Sequence, residues 1–153
     1  MEATLYFDGG IRQGIMAYGW LLVDSKDEAE VIVSGNRTCG VGTSNIAEYR
    51  ALIAGLQGSL KAGVDILHII GDSQLIIKQV TKVFKVNKLE LKSHRDCVLE
   101  LLEQLEDYTI MWVPRRDNKR ADSLVNQVFE RRKAKCSKQQ KKEHRKTLRK
   151  RQS

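Results

Sequence analysis

The apolar residues of this chain change period near residue 45, and that change bounds the folds open to it. Before it, Leu5 and Phe7 alternate with Tyr6 and Asp8, and two further runs, residues 16–23 and 30–34, read as strands. Gly9-Gly10 and the polar cluster at residues 24–27 supply turn chemistry between them, so an antiparallel three-stranded meander is the simplest arrangement. After it, Tyr49, Leu52, Ile53, Leu56 and Leu60 stand at helical spacing, and Ala62-Gly63 closes the helix. Residues 65–71 form an apolar run too short for a helix, as expected of a strand buried on both faces. A short helix should follow from Ser73 to Val80, then a longer one from Lys88 to Glu106, with Asn87 and Glu90 placed to cap it. Residues 109–113 alternate as a last strand that Pro114 stops, and Ala121, Leu124, Val125, Val128 and Phe129 mark a last helix. The order predicts an α/β fold, a mixed sheet with helices on its faces.

Charge divides the chain differently. Residues 131–153 hold 12 of the 27 Lys and Arg but only one acid, Glu143, a net of +11. Residues 1–130 carry 15 basic and 18 acidic side chains, a net of −3. The expected organisation is therefore a globule over 1–130 and a basic tail over 131–153, the latter disordered or a solvated helical extension, because its apolar residues are only Ala134, Cys136 and Leu148. No run approaches the roughly 18 apolar residues that a membrane-spanning helix needs. Met1-Glu2-Ala3-Thr4 lacks a basic region followed by a long apolar one, and Cys39, Cys97 and Cys136 form no CxxC pair. A cytoplasmic, monomeric protein with reduced thiols and no membrane partner is expected.

Four acids sit at strand ends or helix starts, and each has a plain structural alternative. Asp8 before Gly9-Gly10 is also a turn former, and Glu48, three residues after Asn45, also fits a capping box. Asp72 could cap the helix beginning at Ser73, and Asp122 could be a solvated acid in a helix's first turn. Jointly they read otherwise, because four acids converging on one sheet edge repel one another unless divalent cations hold them together. Carboxylate oxygens without a His/Cys cluster favour Mg²⁺ or Mn²⁺ over Zn²⁺. Two such ions would serve in-line hydrolysis of a phosphodiester.

Residues 6–10 (YFDGG), 44–49 (SNIAEY), 71–74 (GDSQ), 112–115 (WVPR) and the NKRAD run from Asn118 to Asp122 resemble, in order, the motifs of type 1 ribonuclease H. The run GDSQLIIKQV, with WVPR and NxxAD, is most similar to the branch common in archaea and some bacteria. The resemblance implies a ribonuclease H-like fold, with three antiparallel strands followed by two parallel ones in a five-stranded sheet. It also implies that Asp8, Glu48, Asp72 and Asp122 are catalytic metal ligands for two Mg²⁺ or Mn²⁺ ions. The RNA strand of an RNA/DNA hybrid would be cut to 5′-phosphate and 3′-hydroxyl ends, with double-stranded RNA as a possible second substrate. An inactive nucleic-acid-binding module of the same fold is the alternative from another class.

By the same resemblance Gly9, Gly10, Asn45 and Gln74 match positions that contact the hybrid near the cut, and Asn118 belongs with them. Thr43 and Ser44 could hold a phosphate or cap the first long helix. The basic protrusion of some members shrinks here to residues 78–92, where Lys85 and Lys88 are the candidates to track the DNA strand. No histidine lies between Thr109 and Asp122, where many members carry one that assists product release. Arg115 matches the arginine that replaces it in this branch, and an arginine stays protonated, so its role would be electrostatic. Trp20 and Trp112 are expected in the core, and His68, His94 and His144 outside the site.

Overall fold

The computed structural model describes residues 1–152. The first strand, β1 (Glu2–Arg12), returns through a two-residue hairpin at Gln13-Gly14 into β2 (Ile15–Asp24), pairing Arg12 with Ile15. Both turn residues have positive φ, 51° and 76°, the geometry whose twist matches the flanking strands and that Gly14 adopts without strain. The turn expected at Gly9-Gly10 is therefore absent: both glycines lie inside β1, opposite Tyr18 and Ala17. The third strand, β3 (Val31–Val41), runs seven residues past Ser34, through Asn36, Arg37 and Thr38, which pair with Gly19, Tyr18 and Ala17.

The first helix, α1 (Ser44–Lys61), starts on Thr43, whose Oγ1 accepts from the Ile46 N–H at 3.3 Å. It leads to β4 (Ile66–Gly71), parallel to β1, with Tyr6 opposite Ile70. Then come α2 (Gln74–Val80), capped by Ser73, and α3 (Leu89–Glu103), which starts after Lys88 with no side-chain cap, so Asn87 does not serve. The last strand, β5 (Asp107–Trp112), is parallel to β4, and the sheet order is β3-β2-β1-β4-β5. A 3₁₀ turn (Arg115–Asp117) follows Pro114 and delivers the chain into α4 (Lys119–Gln152), 34 residues long. Of the two forms open to the tail, the helical one is present to Gln152.

The pleat separates two cores. Leu5, Phe7, Trp20, Leu22, Leu67 and Ile69 face α1, α2 and α3, where Tyr49, Leu52, Leu56, Ile76, Val98 and Leu102 meet them. On the opposite face Ala17 packs under Val125, Val128 and Phe129, and Leu21 and Val23 under Ala121, so the first half of α4 covers β1 to β3. The strand β4 is sealed on one face only: Leu67 and Ile69 are buried, whereas Ile66, His68 and Ile70 are half-buried. His68 accordingly bonds Thr109 Oγ1 and Glu2 Oε1 at the surface. Trp20 is in the core, but Trp112 is 41% exposed at the sheet edge, against expectation, and its Nε1 donates to the Asp72 carbonyl at 3.0 Å. No helix among the described residues is long and apolar enough to cross a membrane, and the three cysteines are free thiols.

Candidate metal centre

Parallel pairing of β1 and β4 brings their carboxyl-terminal ends side by side. Asp8 follows the last β1–β4 pair, and Asp72 is the residue after β4. Glu48 reaches them from the second turn of α1 because Gly9 has no side chain: a Cβ there would lie 2.3 Å from the Ala47 carbonyl carbon and 2.4 Å from the Glu48 nitrogen. That close approach is what the glycine is for at this position, not a turn. One carboxylate oxygen from each of Asp8, Glu48 and Asp72 lies within 4.8 Å of the others. Asp122, in the first turn of α4, lines the same cleft from the opposite side of the sheet, where Asn126 Nδ2 donates to it at 3.3 Å.

The acids that the sequence allowed as caps do not cap. Thr43 caps α1 and Ser73 caps α2, which leaves the Glu48 and Asp72 side chains free of that duty. The environment of Asp8 and Glu48 disfavours charge. Burial, then the charges of Asp72 and Asp122, pushes Asp8 up to about 7. Burial, then the charges of Asp8 and Asp72, holds Glu48 well above the usual carboxylate range. Glu48 Oε2 is buried without any hydrogen-bond partner. Among the described residues one cation pairs with the four acids: Arg115, 82% exposed, with Nη2 3.9 Å from Asp122 Oδ1. An unpartnered buried carboxylate oxygen within an all-oxygen donor set fits a hard divalent cation, and among the described residues no His or Cys joins the group.

The other sequence-derived candidates divide. Gly9, Gly10, Ser44, Asn45 and Arg115 line the cleft with the acids. Thr43 is spent on its cap, while Gln74, Lys85 and Lys88 are exposed and lie outside the cleft wall. Asn118 is a correction: at 1% exposure it is no surface contact, and its Nδ2 donates to the Phe7 carbonyl and to Asp72 Oδ2, both at 2.9 Å. It ties the residue before Asp8 to the Asp72 carboxylate. The sequence reading missed Arg12, which stacks 4.8 Å over Phe129 at the far end of the cleft, and Asn126, four residues after Asp122 on the same helix face. The second was visible as an i, i+4 Asp/Asn pair.

A family described as reverse transcriptase-like matches residues 6–128. Ribonuclease HI of Halobacterium salinarum is 40% identical over 127 residues, which cover 82% of this chain and 63% of that protein. The crystal structure of ribonuclease H1 from the same archaeon superposes with a TM-score of 0.81 at 38% identity, over 85% of this chain and 98% of that one. LC11 ribonuclease H1, solved in complex with an RNA/DNA hybrid, gives a TM-score of 0.78 at 29% identity over 84% and 97% of the two chains. The chain thus spans less than two thirds of the full Halobacterium protein but nearly all of the structurally characterised domain.

Proposed function

The chain belongs to the ribonuclease H family, and on that premise we propose that it is a divalent-metal-dependent endonuclease that hydrolyses the RNA strand of RNA/DNA hybrids to 5′-phosphate and 3′-hydroxyl ends. The observation that carries the reading is the convergence of Asp8, Glu48 and Asp72 within 4.8 Å, with Asp122 facing them in one cleft. These four acids would hold Mg²⁺ or Mn²⁺. When bound, such ions supply Lewis-acid activation of water and neutralise charge at the scissile phosphate.

The protein's own part is placement. Asn118 fixes the Asp72 carboxylate against the Phe7 carbonyl, so the ends of two parallel strands are locked in register with the start of α4. Asn126 does the same for Asp122 from one turn further along α4. Arg115 offers a permanent positive charge at the rim, suited to a phosphate rather than to proton transfer. Ser44, Asn45 and the backbone of Gly9-Gly10 line the wall that an RNA backbone would follow. Selection of hybrid over DNA duplex then rests on groove shape and the 2′-hydroxyl, with weak sequence preference. Three free thiols accord with a reducing compartment, and we place the protein in the cytosol. The test is a cleavage assay with Mg²⁺ or Mn²⁺ on matched RNA/DNA hybrid, double-stranded RNA and double-stranded DNA. Cutting of the hybrid's RNA strand is expected; binding of hybrid without cutting under either metal would favour the inactive module and overturn the proposal.

A further inference from the structure

Beyond Phe129 the last helix continues, and its cations are not spread evenly round it. Lys138, Lys141, Lys142, Arg145, Lys146 and Arg149 line one continuous face, at spacings of three and one. Successive helical residues advance about 100°. By that geometry the centre of this stripe lies about 180° round the helix from Asp122, Val125, Asn126 and Phe129, the four residues of α4 that line the acidic cleft. On the cleft's side of the tail stand Gln140, Glu143, His144 and Thr147, which include the tail's only acid, and of its 12 cations only Lys133 and Arg151 fall there. The stripe therefore does not prolong the cleft. A separate concavity beside the edge strand β3 is lined by Arg37, Arg131, Arg132 and Lys135, the last three from the preceding turns of the same helix.

We propose that this stripe is a second nucleic-acid site, which holds the phosphate backbone of a duplex segment other than the one in the cleft. None of its six cations pairs with a carboxylate among the described residues, although each has like-charged neighbours three or four residues away. That repulsion opposes the helix and is relieved by a polyanion laid along it. Leu148, 43% exposed at the margin of the stripe, is the one large apolar side chain beside it among the described residues, short of the apolar cluster that a protein interface or a membrane surface requires. The stripe has no aromatic platform either, as single-stranded nucleic acid favours. A duplex backbone needs only a row of cations, and the stripe extends about 16 Å, a length of duplex that presents about nine phosphates on its two strands.

The test compares the full chain with the variant K138Q/K141Q/K142Q/R145Q/K146Q/R149Q, whose changes all lie outside the cleft. Binding to a fluorescent DNA duplex of about 24 base pairs is followed by anisotropy in chelator between about 50 and 200 mM salt. Four engaged phosphates would give the full chain a log–log slope near −3.6, about a 150-fold loss of affinity over that range. The variant should bind at least about tenfold more weakly with a flatter slope, while kcat and KM on a hybrid of about 10 base pairs stay within about twofold. Equal duplex affinity for the two proteins would overturn the proposal. So would a KM for the short hybrid that rises in step with the lost duplex binding, since the stripe would then serve the cleft. If neither protein cuts hybrid, the proposed nuclease function fails, and the duplex-binding comparison still decides the second site.

Discussion

Replacing Asp8 with asparagine should make the metal-free protein more stable. Asp8 is 4% exposed and its carboxyl is pushed from 3.8 up to about 7, so the native fold prefers it protonated. A group whose folded pKa is raised takes up protons on folding, and stability falls as pH climbs from the unfolded value through the folded one. The window here runs from about pH 4 to pH 7, and above it the penalty is complete. A three-unit gap corresponds to about 4 kcal/mol, at about 1.4 kcal/mol per unit. Burial is the larger cause and the remainder is repulsion from Asp72 and Asp122, whose charges relax together with that of Asp8, so about half, ~2 kcal/mol, is assigned to relief at this residue alone. For a chain of this size that is a rise in Tm of about 4–8 °C. The assay is thermal unfolding by circular dichroism in chelator at about pH 4 and about pH 8.5. Asp8→Asn should match the native protein at the lower pH and exceed it at the higher. Saturating Mg²⁺ should reverse the ranking, because ligand binding stabilises only the protein that retains its site. An Asp8→Asn variant that is no more stable at high pH, or whose advantage does not change with pH, would refute the reasoning.

Gly9→Ala should cost ~2 kcal/mol or more and weaken Mg²⁺ binding, since the new Cβ would meet the Ala47 carbonyl carbon at 2.3 Å and drive α1, with Glu48, away from Asp8. Unchanged Tm and unchanged Mg²⁺ affinity in titration calorimetry would show that the close approach is not required. Asn118→Ala should lower stability by about 1–3 kcal/mol in urea unfolding, because the Phe7 carbonyl loses its buried side-chain donor, and should reduce kcat by freeing Asp72. Asn118→Ala with native kcat would mean that Asp72 needs no brace. Arg115→Ala should lower turnover on hybrid less than loss of any of the four acids, as befits an exposed rim charge; an equal loss in the same assay would promote Arg115 to the centre of the site.

The change of apolar period located α1, β4 and the start of α4 within a residue or two, because in those elements burial itself is periodic. Where burial is not periodic the sequence was mute. The second half of β3, residues 35–41, exposes much of its length at the sheet edge, so no alternation marked it as strand. Gly9 carried a turn signature while its function is clearance for α1, a tertiary contact between residues 9 and 47 that no local window contains. Asn118 stood in a recognisable motif, but nothing local told a buried brace from a surface contact. Placement at element ends suggested the acids as a set, the resemblance to ribonuclease H motifs singled them out as metal ligands, and Thr43 and Ser73 take the capping roles that were their alternative. Beyond Phe129 the apolar stripe stops, so an apolar reading ends there; the period in that stretch is carried by lysine and arginine instead.

The central claim, that a carboxylate cluster holding divalent metal cuts the RNA strand of a hybrid, is tested most directly at Asp72. Single-turnover cleavage of an RNA/DNA hybrid by native protein and by Asp72→Asn, with Mg²⁺ and with chelator, isolates it. Cleavage by the native protein only with metal is expected, with 5′-phosphate products, and none by the variant although its thermal unfolding shows an intact fold. Near-native cleavage by Asp72→Asn in Mg²⁺, or cleavage by the native protein in chelator, would contradict the account.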